Sequence, residues 1–117
     1  MNTKLRQEID RLHAELCGAL SDPNRILILY TLSEETSNVS DLADKLNMPQ
    51  PTTSRHLKIL RERGMVAARR KGQSVIYRLA DNRIIAALDL LRSMLADKLE
   101  MQAALVHNAA EQLNSLN

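Results

Sequence analysis

Three features predict a mainly α-helical chain with one small β-hairpin: a proline-started segment of helical spacing carrying basic side chains, a shorter helical segment just before it, and two β-prone runs about a glycine just after it. The expected order is four helices, two strands and a last helix. Its centre, VSDLADKLNMPQPTTSRHLKILRERGMVAARRKGQSVIYR from Val39 to Arg78, has the layout of a winged helix-turn-helix. At 117 residues the chain is read as a single domain, 1–117, with terminal helices at 1–20 and 81–113, the helix-turn-helix at 39–64 and the wing at 65–79.

The first helix is expected over residues 3–20, where Leu5, Ile9, Leu12, Leu16 and Leu20 recur at helical intervals. The second begins in SDPNRILILYTLSE, with Ser21 or Asp22 as cap and Pro23 at the first helical position, where the missing N–H costs nothing. Ile26, Leu27, Leu29, Tyr30 and Leu32 give it a broad apolar face suited to the centre of the domain. After a loop over 34–38, Ser40 is expected to cap a short helix striped by Leu42, Ala43 and Leu46 and ending at Asn47. The fourth helix is expected from Pro51 to Arg63 with Gln50 at its cap; Thr53, Leu57 and Leu60 face inward, and Pro51, Ser54, Arg55 and Lys58 project outward. Gly64 is expected to end it in a left-handed conformation. Met65 to Ala68 and Val75 to Tyr77 are read as the strands of the wing, with Arg69, Arg70 and Lys71 at its tip. The last helix is expected from Asp81 to about Leu113, on a stripe of Ile84, Leu88, Leu91, Leu95 and Leu99.

Charge distribution says more than the net +2. Residues 52–78 hold eight basic side chains against Glu62 alone, a net +7, while the remainder holds eight basic and thirteen acidic, a net −5. A positive side that coincides with the helix pair and wing points to double-stranded DNA, because neutralising phosphates releases counterions. With only Tyr30 and Tyr77 as aromatics, stacking on single-stranded bases is poorly supplied. No apolar run spans a membrane and the N-terminal MNTKLRQEID lacks a signal-peptide apolar block, so a cytoplasmic location is expected. A last-helix stripe longer than so small a domain can cover predicts a two-fold homodimer through Leu5, Ile9, Leu12 and Leu16 of the first helix and Leu88, Leu91, Leu95 and Leu99 of the last. Two reading helices held about 34 Å apart require an inverted-repeat operator.

The runs ALSDPNRILILYTL, VSDLADKLNMPQPTTSRHLKILRERGMV and RRKGQSVIYRLAD together resemble the ArsR/SmtB family of small bacterial winged-helix repressors, over roughly residues 12 to 81. The resemblance implies a dimeric repressor released from its operator by an inducer. It also implies that Gln50, Thr52, Ser54, Arg55 and His56 lie at the DNA, with Arg70, Lys71 and Gln73 in the wing. Lys58, on the outward side of the same helix, is counted with them.

The inducers usual in that family are metals, and the corresponding ligand sets are incomplete here. Asp41 to Lys45 holds no cysteine pair; in the last helix Asp81 matches, but Arg83, Met94 and Asp97 stand where further ligands are expected. One alternative set remains, His13 and Cys17 on the first helix with His107 and Glu111 on the last, brought together only if the termini cross in a dimer. The more ordinary reading takes these as surface histidines and Cys17 as a small buried residue, and no cofactor is expected. Cys17 also admits a redox reading through an intersubunit disulfide or sulfenylation. Neither a nucleophile elbow nor a phosphate loop is present, and Gly18, Gly64 and Gly72 are too scattered to cradle a phosphate, so catalysis is not expected. Two further readings stand beside the operator-binding repressor with its unidentified inducer: a thiol- or metal-responsive repressor using Cys17, and a winged-helix module whose main partner is a protein.

Overall fold

The structure, a computed structural model, describes residues 2–116. The chain divides into two compact units, Met1–Asn82 and Arg83–Asn117. The first holds helices α1 (Thr3–Leu12), α2 (Pro23–Glu34), α3 (Val39–Leu46) and α4 (Gln50–Glu62) and strands β1 (Val66–Lys71) and β2 (Ser74–Leu79); the second is the single helix α5 (Arg83–Ser115).

The expected continuous first helix is interrupted. Asn2 caps it by accepting the Lys4 N–H at 2.8 Å, but after Leu12 the residues His13–Cys17 form a π-helical turn and Ala19–Ser21 a 3₁₀ turn. The Gly18 N–H passes over the Ala14 carbonyl to reach that of His13 at 2.9 Å. Glycine permits this crowding, since a Cβ at position 18 would stand 3.0 Å from the Ala14 oxygen.

Local chemistry sets the remaining ends. Asp22 rather than Ser21 caps α2, accepting the Asn24 N–H at 2.8 Å, while the Ser21 hydroxyl donates to the Gly18 carbonyl. Asn38, not Ser40, caps α3: its extended backbone lets the side chain accept from the Asp41 N–H at 2.8 Å, and Ser40 falls inside the first turn. Asn47 then takes a left-handed conformation at φ 52°, and the Met48 N–H returns to the Ala43 carbonyl, closing α3. Helix α4 begins one residue earlier than expected, at Gln50, with Pro49 extended before it. Gly64 at φ 76° ends it, and the Met65 N–H bonds the Leu60 carbonyl at 2.9 Å.

The core sits where α2, α3 and α4 meet the base of the hairpin. Ile28, Leu29, Leu42, Leu57, Leu60 and Thr53 are fully buried, joined by Ala43, Met65 and Val66. Within α2, Ile28 is buried and Leu27 is exposed, so the apolar face is rotated from the expected one. Leu57→Ala is expected to destabilise the fold by about 2 to 5 kcal/mol through lost transfer energy plus a residual cavity. Denaturant melts give that figure; a loss under about 1 kcal/mol means that α4 packs elsewhere.

The hairpin is longer than expected. Its register runs from Val66 opposite Leu79 to Lys71 opposite Ser74, leaving Gly72 and Gln73 as a two-residue turn with Gly72 at φ 63°. Arg69, Arg70 and Lys71 therefore belong to β1 itself. The loop over 34–38 also carries a bridge: Ser37 and Tyr77 exchange backbone hydrogen bonds of 3.1 and 2.8 Å, seating the entry to α3 against β2.

In α5, 33 residues span about 50 Å. Leu91, Leu95 and Leu99 are 59, 56 and 55% exposed, and in α1 Leu5, Ile9, Leu12 and Leu16 are exposed as well. Leu88 differs from the rest of that stripe in being buried, at 6% exposure.

Candidate nucleic-acid interface

Helices α3 and α4 are joined by Asn47, Met48 and Pro49 alone. The left-handed Asn47 reverses the chain, and Pro49 then directs it into α4. Thr53 secures the start of α4 from inside, its amide and hydroxyl both donating to the Pro49 carbonyl at 3.0 Å. With Thr53, Leu57 and Leu60 facing the core, the outer side of α4 presents Gln50, Ser54, Arg55 and Lys58, all exposed. Thr52 is half-buried and accepts from the Arg55 guanidinium at 3.3 Å, a hydrogen bond that orients Arg55 along the outer face.

His56 does not join that face. Spaced by three from Thr53 and by four from Leu60, it falls in the inward sector of the wheel, 9% exposed. Its Nδ1 stands 3.3 Å from an Arg25 terminal nitrogen and its Nε2 3.9 Å from Asp22 Oδ2. The expected DNA contact at His56 is therefore corrected to an internal one between α4 and the start of α2.

In the wing, side chains alternate across the strand. Arg69 and Lys71 share one face, with Arg78 opposite Ala67 on the same side, whereas Arg70 lies on the face of Val66 and Ala68, beyond the edge of the core. Arg70, Lys71 and Gln73 are exposed. Sequence reasoning does not single out Arg69 and Arg78 as site residues; period-2 alternation with Lys71 is the signal that could find them.

Among the described residues no group of three or more His, Cys, Asp or Glu side chains is placed to hold a metal ion. His107 pairs with Glu111 along α5 at 3.1 Å, both well exposed. Cys17, expected as a small buried residue, is exposed at the end of the π-helical turn. No described helix is long and apolar enough to cross a membrane.

The family model described as "Bacterial regulatory protein, arsR family" matches residues 22–68, from the cap of α2 to the first half of β1. The chain is also 34% identical to Mycobacterium tuberculosis Rv0081 in a superposition covering 81% of this chain and 96% of that one, with a TM-score of 0.73. The chain belongs to the arsR family. An HTH-type transcriptional repressor SmtB from M. tuberculosis (strain H37Rv) is 45% identical over 78 residues, 67% of this chain. The match takes in 58% of that repressor's own length. The homodimeric winged helix-turn-helix DNA-binding domain Mb0332 from Mycobacterium bovis superposes with a TM-score of 0.73 at 27% identity, over 86% of this chain and 92% of that one.

Proposed function

We propose that this arsR-family protein is a cytoplasmic repressor that binds an inverted-repeat DNA operator as a homodimer. The observation that carries this reading is the coincidence of an exposed, cationic outer face on α4 with a basic hairpin in the same compact unit, within the segment 52–78 that holds a net +7. Gln50, Thr52, Ser54, Arg55 and Lys58 approach the major groove, and Arg69, Arg70, Lys71 and Gln73 of the wing follow the adjacent backbone. Arg55 is the side chain suited to a guanine edge, since its planar fork matches two acceptors at once. The exposed apolar stripes of α1 and α5 supply the dimer contact, and the homodimeric state of Mb0332 supports it.

The signal that releases the operator is left open by chemistry: the metal-ligand sets implied by family resemblance are incomplete, and Cys17 is a single exposed thiol. Selection of duplexes from a random pool by the purified protein tests the reading. The expected product is an inverted repeat with half-sites one helical turn apart, about 34 Å. Recovery of no duplex at low ionic strength, together with tight capture of a protein partner, would favour the interaction-module reading instead.

A further inference from the structure

His56 is the one polar side chain of the expected reading set that the fold turned inward, and its partner there is a hub. Arg25 of α2 donates from Nε to the Ala19 carbonyl at 2.6 Å. One terminal nitrogen reaches the Gly18 carbonyl at 3.5 Å and the Ser21 hydroxyl at 3.4 Å, and the other stands 3.3 Å from His56 Nδ1. A guanidinium has donors only, so Nδ1 can pair with it only as an acceptor, while Nε2 faces Asp22 Oδ2 at 3.9 Å. One planar group thus grips three points of the 18–21 turn and one point of α4, thirty-one residues away in sequence.

The gripped turn lies directly after the π-helical turn of His13–Cys17. Such a turn holds one more residue than α-helical spacing and recurs at functional sites. Return of Gly18 to ordinary spacing would move the 18–21 carbonyls by one residue relative to α1, a rotation of about 100° and a rise of about 1.5 Å. Arg25 is the group that would carry such a change to α4.

We propose that Arg25 and His56 are positioning residues for operator recognition. They lock the reading helix to the 18–21 turn, so the register in which α1 enters that turn sets how α4 meets the duplex. The inference rests on the DNA-reading function proposed above and goes beyond it by assigning a coupling between the first helix and the reading helix.

The test compares affinity for the selected operator with affinity for a non-operator duplex of equal length, using the full chain. His56→Leu, which keeps the volume and removes the acceptor, is expected to lower operator affinity about ten-fold while leaving non-operator affinity and its salt slope unchanged. His56→Gln, whose amide oxygen can accept from Arg25, is expected to restore most of the loss. Arg25→Lys, a point charge that cannot span the four partners, is expected to reproduce the Leu result. Gly18→Ala, which presses on the π-helical turn, is expected to cause the same selective loss alone and little further loss when combined with His56→Leu. Far-UV dichroism and thermal melts report whether each variant is folded. Operator affinity unchanged in folded His56→Leu, equal loss on both duplexes, or additive losses with Gly18→Ala would each overturn the proposal while leaving the DNA-reading function standing. Absence of any duplex binding by the unsubstituted chain would remove that function and the proposal with it.

Discussion

Leu95→Glu combined with Leu99→Glu is expected to leave the purified chain monomeric at micromolar concentration and to weaken operator binding about 100-fold or more. Both leucines are more than half exposed in the single protomer, so the substitution adds no buried charge to the folded monomer and its melting is expected to change little. In a dimer the same positions would confine four carboxylates in an apolar seam, where each ionised group costs several kcal/mol unless it finds a partner. A monomer reaches only one half-site and forfeits the second set of groove interactions. Light scattering reads the mass and gel-shift titration reads the affinity. A variant that stays dimeric places the seam elsewhere, and α1, with Leu5, Ile9, Leu12 and Leu16 exposed, would be its remaining site.

Arg55→Ala and Lys71→Ala are expected to separate the two kinds of DNA interaction. Lys71, near the tip of the wing, is assigned to phosphate. Its removal should weaken binding to all duplexes alike and, because each subunit then neutralises one phosphate fewer, reduce the salt slope by about two units per dimer. Arg55, on the outer face of α4, is assigned to a base edge. Its removal should cost about 1 to 3 kcal/mol on the selected operator and abolish the preference for guanine at one position of each half-site. Both effects follow from titrations at several salt concentrations. Unchanged slope and unchanged sequence preference in the two variants together would mean that this cationic face is only solvated, and that the hairpin and α4 serve another partner.

His13, Cys17, His107 and Glu111 are each exposed, and His107 already holds Glu111 as a neighbour along its own helix. Asp22, Arg25 and His56 do converge, and they hold the start of α2 to α4. Polar clustering here serves orientation.

What the sequence determined by itself was whatever depends on neighbours a few residues away. Pro23 behind Asp22, Pro51 behind Pro49, and glycines at 64 and 72 where positive φ is needed mark helix ends and turn at the level of local backbone chemistry. The spacing of Thr53, Leu57 and Leu60 likewise marks which side of α4 faces inward. Tertiary structure alone decided the rest, because it depends on which distant segment arrives. His56 lies beside that inward stripe, and only the approach of Arg25 and Asp22 from α2 makes it an internal link. Leu88 repeats with Leu91 and Leu95 in sequence yet is buried where they are exposed. Ser37 belongs to a loop until Tyr77 of β2 offers it two backbone hydrogen bonds. Periodicity reports a direction around a helix axis, while burial requires a partner, and the partner is a property of the whole fold.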